Sequence, residues 1–212
     1  MNKAVDWKEA FEPLIEMYKD EKHPLDYKKS IYRLLVMVLL SAQNSDENIN
    51  RVTPGFFKEF PNMKAMSKAS YAEMEKLLAK VRFHRQKIEW LMEIASELKD
   101  DKNIPKTMKA LVGLKGIGRK SANVILREAG AKAEGILVDL HVLRVVDRLG
   151  ISHATDGVKM EKDLMEVLPQ EIWGEVGMAI SFLGRDTCRP TDPKHEECVM
   201  NKVCEYCQAK RK

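Results

Sequence analysis

Apolar side chains recur along most of the chain at intervals of three and four residues, with charged residues between them. Ile88, Leu91, Met92, Ala95 and Leu98 form one such row, and Leu164, Met165, Val167 and Leu168 another. That period puts each row on one face of an α-helix, so the pattern predicts helices almost throughout. Ser70 followed by Glu73 predicts a capping box opening the helix that carries Met74, Leu77 and Leu78, while Pro24 and Pro105 mark element boundaries. The run Leu34 to Leu40 is uninterruptedly apolar, yet far shorter than the roughly 20 residues a membrane span needs, and reads as a buried helix. Strand signal is confined to Gly135-Ile136-Leu137-Val138. A lone strand has nothing to pair with, so an extended loop between helices is expected there.

Composition narrows the class without choosing a function. With 44% hydrophobic and 32% charged residues over 212 positions, the chain can build one sizeable core or two small ones, which excludes disordered and collagen-like classes. The formal net charge of +4 permits a nucleic-acid partner but does not argue for one. The opening residues, Met1 to Glu9, lack the apolar segment of a secretory signal, and a cytoplasmic location, or in a eukaryote a nuclear one, is expected. All the cysteines, Cys188, Cys198, Cys204 and Cys207, fall in one short C-terminal stretch containing Pro190 and Pro193. In a chain without a secretory signal such clustering favours a metal site over disulfides.

The sharpest local motif is Leu111-Val112-Gly113-Leu114-Lys115-Gly116-Ile117-Gly118-Arg119-Lys120-Ser121-Ala122, followed by apolar positions at Val124, Ile125 and Leu126. It reads as helix, hairpin, helix over about 107–129. Gly116 and Gly118 can take positive φ and let another molecule approach the backbone, and the second helix offers unpaired N–H groups at its start. Such a turn suits a phosphate, and Lys115 and Arg119 add positive charge beside it. A tight turn between packed helices is the plainer alternative. Lys120 lies in the first turn, where the helix dipole disfavours a cation, and a neutral amine is the better nucleophile for Schiff-base chemistry. A phosphate contact is its other possible role. Asp139 opens the helical pattern Leu140-His141-Val142-Leu143-Arg144 as a candidate N-cap and candidate carboxylate, with His141 a candidate base or structural residue.

Leu40-Ser41-Ala42-Gln43, the hairpin Gly116 to Val124, Val138-Asp139-x-His141 and the terminal cysteines, in this order, resemble the endonuclease III family of DNA base-excision repair glycosylases. The resemblance spans nearly the whole chain. It implies an all-α, two-lobed helix-hairpin-helix fold with a C-terminal cluster loop. A six-helix lobe would span 24–135, and residues 1–23 with 136–212 would form the second lobe, with a DNA cleft between them. It further implies a bifunctional DNA glycosylase and AP lyase that removes oxidised pyrimidines from double-stranded DNA and acts on abasic sites. Lys120 would be the nucleophile and Asp139 the essential carboxylate. Gln43 would fill the gap left by the flipped nucleotide. Lys115, Gly116, Ile117, Gly118, Arg119 and His141 complete the expected DNA contacts, and a monomer is expected.

The resemblance has departures. A second insertion loop is expected around Val81-Arg82-Phe83-His84, where members often carry Gly-Leu-Tyr. Lys115 stands where the family hairpin usually has proline, and Leu140 where threonine is usual. The cysteines read C-x9-C-x5-C-x2-C, against a family pattern of C-x6-C-x2-C-x5-C whose second position falls on His195. Either His195 is a ligand or Cys207 replaces it, and Cys188, Cys198, Cys204 and Cys207 are taken as the set. Four thiolates suit a [4Fe-4S] cluster, with zinc the alternative. The competing functions are a related glycosylase acting on mismatched thymine, uracil or an oxidised purine, and a non-catalytic DNA-binding module.

Overall fold

The computed structural model describes residues 5–210. The first four residues, and Arg211 and Lys212 of the basic tail, lie outside the described residues. Among the described residues every regular element is helical, and no helix is long and apolar enough to cross a membrane. Helix α1 (Trp7–Tyr18) is followed by α2 (Ile31–Ser41), α3 (Asp46–Glu59), α4 (Met63–Met66), α5 (Tyr71–Leu78), α6 (His84–Leu98), α7 (Met108–Gly113) and α8 (Arg119–Glu128). The chain continues through α9 (Leu140–Leu149), α10 (Gly157–Val167), α11 (Trp173–Asp186) and α12 (Glu205–Lys210). It divides into two compact units, one of residues 22–131 and one of residues 1–21 with 132–212.

In the unit 22–131 the centre is α2, whose side chains from Leu34 to Leu40 are all buried. A helix apolar on all sides has to be covered on all sides. Packed around it, each buried aliphatic side chain contributes about 1.5–3 kcal/mol. Tyr32, at the start of this helix, lies edge-on to Phe57 of α3 and satisfies its hydroxyl by donating to the Phe60 carbonyl at 2.8 Å. The capping box forms as expected. The Glu73 N–H donates to the Ser70 hydroxyl, and the Glu73 carboxylate accepts from the Ser70 N–H at 2.8 Å. The stripe on α6 differs in one place. Ile94 is buried and Met92 only half so, because the buried face runs Lys87, Leu91, Ile94 and Leu98 and carries a lysine within it.

In the other unit α11 is buried continuously from Val176 to Gly184, against α9 and α1. Gly177 and Gly184 make this approach possible. A Cβ on Gly177 would stand 2.6 Å from the Leu137 carbonyl oxygen, and one on Gly184 2.8 Å from the His141 Cβ. The segment 132–139 is therefore laid directly on α11 as an extended loop, as its lone strand-like run implied. Helix α9 ends at Gly150, which has φ +84 and whose missing side chain is replaced by the Glu205 carboxylate of α12.

Candidate active site and cysteine segment

The hairpin lies in the unit 22–131. The Ile117 N–H donates to the Leu114 carbonyl at 3.1 Å, closing a turn with Gly116 in third position at φ +75. That is the position of a type II turn that favours glycine. The Trp90 ring of α6 occupies the space a Gly116 side chain would need. Gly118 differs from expectation. At φ −92 and ψ 175 it is ordinary extended backbone and serves as the N-cap of α8, because the turn's reversal is already completed at Gly116. A Cβ there would meet nothing within 4 Å. The glycine leaves open the approach to the start of α8, where no side chain caps the first N–H groups. Ile117 is 4% exposed and anchors the hairpin in the core, so only its backbone borders that approach. Lys115 and Lys120 are exposed, and Arg119 is half-buried.

These two glycines make a contrast. Gly116→Ala must bring a methyl group into Trp90 at a left-handed φ, and is expected to cost about 2–4 kcal/mol in a thermal or denaturant melt. Gly118→Ala meets no neighbour and is expected to cost no more than about 1 kcal/mol, the difference between glycine and alanine as an N-cap, and, on the expectation that this hairpin holds a DNA phosphate, to weaken affinity for duplex DNA.

Two exposed turns of the same unit also use left-handed backbone. Gln43 follows α2 at φ +57, and Phe83 precedes α6 at φ +59 with 54% of its surface exposed. Arg82 lies over the Phe83 ring, 5.0 Å from its centroid, and Val81 is buried. The exposed apolar group of this loop is thus Phe83.

Asp139 belongs to the other unit, and the N-cap expected of it is observed. Its Oδ1 accepts from the His141 and Val142 N–H groups at 2.8 and 2.9 Å. Its Oδ2 accepts from the Ser181 hydroxyl of buried α11 at 2.7 Å. Three donors from two helices fix this half-buried carboxylate. Leu140, the next residue, is 78% exposed. The His141 ring pairs with the Arg144 guanidinium through Nδ1 at 3.2 Å. Burial first, then Arg185 and Arg144, hold its imidazole below the usual range against the opposing pull of Asp139.

Arg144 and Arg148, one turn apart on α9, bind the cysteine segment from the same unit. Arg144 donates to the Gly184 carbonyl at 2.7 Å and the Cys188 carbonyl at 3.1 Å. Arg148 donates to the Arg189 carbonyl at 2.8 Å, approaches the Cys188 Sγ at 3.3 Å, and stacks on Tyr206. All four cysteines are free thiols and line one cavity with Arg148 and His195. Burial, and then the neighbouring cysteines, push the Cys198 thiol up to about 11. Among the described residues no three metal-ligating groups are already drawn around one point. The chemistry of the donor set nevertheless fits a metal centre, because four sulfurs line one cavity and a cation there would offset the burial that resists ionisation of Cys198 and Cys204. Both candidates for the fourth ligand face the cavity. Cys207 is buried, with its Sγ 3.9 Å from the His195 carbonyl oxygen, and the His195 Nε2 is buried without a hydrogen-bond partner among the described residues.

Sequence reasoning missed Ser181, Trp90 and Lys87. Only Lys87 carried a signal, a cation in register with an apolar stripe.

Residues 36–170 match the model of the HhH-GPD superfamily base excision DNA repair protein. The endonuclease III of Synechocystis sp. is 35% identical over 198 residues, covering 92% of this chain and 90% of the relative. A structure of a trapped endonuclease III–DNA covalent intermediate matches with TM-score 0.84 and 27% identity, over 99% of this chain and 100% of that one. A non-covalent endonuclease III–DNA complex matches with TM-score 0.83 and 28% identity, also over 99% of this chain and 100% of that one.

Proposed function

Since the chain belongs to the HhH-GPD superfamily of base excision repair proteins and, within it, to the endonuclease III family, we propose that it is a bifunctional DNA glycosylase and AP lyase removing oxidised pyrimidines from duplex DNA. The observation that carries this reading is Lys120. It is an exposed amine in the first turn of an uncapped helix, in a chain whose relative forms a covalent intermediate with DNA.

The chemistry follows from the residues. A damaged base has to leave the stack before it can be reached, and Gln43 fills the gap it leaves. As the N-glycosidic bond breaks, the sugar gains oxocarbenium character, which the fixed Asp139 carboxylate stabilises electrostatically. The Lys120 amine bonds to C1′ as the base departs with the bond's electron pair. Opening of the sugar ring then gives a Schiff base, and loss of a C2′ proton expels the 3′ phosphate by β-elimination. The first-turn N–H groups of α8, with Lys115 and Arg119 beside them, hold a backbone phosphate, and His141 adds a further DNA contact. Arg82 and Phe83 in the second loop alter the contacts expected to set lesion preference. Duplex DNA as substrate supports a cytoplasmic location in association with the nucleoid.

The four thiols of Cys188, Cys198, Cys204 and Cys207 would hold a [4Fe-4S] cluster. When bound, the cluster supplies a structural cross-link for the 188–207 segment. Anaerobically purified Cys207→Ser is expected to lose iron and the cluster's broad visible absorption, while His195→Ala keeps both. The reverse result would put His195 in the ligand set, and zinc in place of iron would overturn the cluster assignment.

The overall reading is tested by borohydride trapping on a duplex with a single abasic site. A covalent adduct is expected. Tight binding without an adduct would leave a monofunctional glycosylase or a DNA-binding module.

A further inference from the structure

Lys87 is 2% exposed, and its ammonium donates to the Leu40 carbonyl at 2.7 Å and the Ala42 carbonyl at 2.6 Å, two of the last three carbonyls before Gln43. Asn44 closes the same turn from the other side, its amide donating to those two oxygens at 3.0 and 3.1 Å. The Asn44 Oδ1 in turn accepts the Arg82 N–H at 3.0 Å. One connected set of hydrogen bonds therefore ties the turn that presents Gln43 to the turn that presents Phe83. Both residues hold left-handed backbone that side-chain-bearing residues avoid at a cost of about 1–2 kcal/mol each. Strain of this kind persists only where the surroundings impose it.

We propose that Lys87 is a positioning residue for base extrusion, its ammonium locking the Gln43 turn and, through Asn44, the Arg82–Phe83 turn into one rigid element that enters the duplex. This rests on the reading that Gln43 fills the vacated gap. Burying an ammonium is costly even when it is hydrogen-bonded, and an apolar residue at 87 would avoid that cost but leave the Leu40 and Ala42 carbonyls without this donor. Burial pushes Lys87 down to about 8, which leaves it charged at neutral pH, and the dipole at the C-terminal end of α2 favours that charge. An insertion residue on a loose turn would pay its ordering entropy at each extrusion, whereas a preformed turn pays it on folding.

The test uses Lys87→Met, which fills the same volume without donors, alongside Gln43→Ala and the double variant. Asn44→Ala serves as a second route into the same network if Lys87→Met does not fold. Two readouts are compared. The first is fluorescence of 2-aminopurine opposite a tetrahydrofuran abasic analogue in a duplex, which reports gap filling. The second is AP lyase rate on an abasic site in a duplex against the same site in a single strand, where there is no gap to fill. Lys87→Met is expected to reduce the fluorescence change and lower the duplex lyase rate roughly tenfold or more, with the single-strand rate held, as loss of charge-assisted hydrogen bonds would give. The double variant is expected to be no worse than Gln43→Ala, because both remove the same function. An equal loss on duplex and single strand, or additive losses in the double variant, would reduce Lys87 to a structural residue and overturn the proposal. If Gln43→Ala itself leaves the duplex readouts unchanged, the reading of Gln43 fails, and the proposal with it. If Gln43→Ala loses them and Lys87→Met does not, only the proposal fails.

Discussion

Lys120→Ala is expected to give no borohydride-stable adduct with a duplex carrying one abasic site, and its lyase rate should fall to background. The substitution is clean in structural terms. Lys120 is an exposed side chain in the first turn of α8, and alanine is the strongest helix former, so stability should stay within about 0.5 kcal/mol. Binding of the duplex should persist, since the hairpin N–H groups, Lys115 and Arg119 remain. Loss of one cation near the backbone predicts only a shallower salt dependence. The pairing of outcomes is what makes the result decisive. Binding without adduct assigns the nucleophile, an adduct that survives moves the nucleophile to another amine, and loss of both would mean that Lys120 serves the phosphate and not the sugar.

Asp139→Asn is expected to lower the rate of base removal on the order of 10^2–10^3-fold, the effect of removing one preorganised electrostatic group, while affinity for damaged duplex is retained. The geometry is favourable to this test. Asparagine caps helices as well as aspartate does, its carbonyl can accept from His141 and Val142 as Oδ1 does, and its amide can donate to the Ser181 hydroxyl. What the variant removes is the negative charge and little else. Single-turnover rates on a lesion-containing duplex check it. A rate equal to wild type would leave the carboxylate with its capping role alone.

The elements and caps that depend on near neighbours in the chain were legible in the sequence. Ser70 with Glu73, Asp139 at the head of α9, and the extended loop before it all follow from interactions within a few residues. The parts that escaped depend on distant helices. Ser181 reaches Asp139 from a helix 42 residues further on, and Lys87 reaches the end of α2 from 47 residues away. Trp90 explains why residue 116 must be glycine, yet nothing in the local spacing of Trp90 points to the hairpin. The Gly118 error has the same root. One glycine at positive φ completes the reversal, and a sequence with two glycines does not say which one turns. Ile117 illustrates the opposite limit, because a residue in a binding motif can be there to be buried.

The hairpin has one more consequence, for how damage is found. The contacts proposed for it come from main-chain N–H groups and cationic side chains, which would address the sugar–phosphate framework that every stretch of DNA shares. A surface of that kind grips all sequences about equally, so it supports patrol along the genome and carries no information about where to stop. The decision to stop has to come from the ease with which a weakened base pair opens, and ionic strength sets how long each visit lasts.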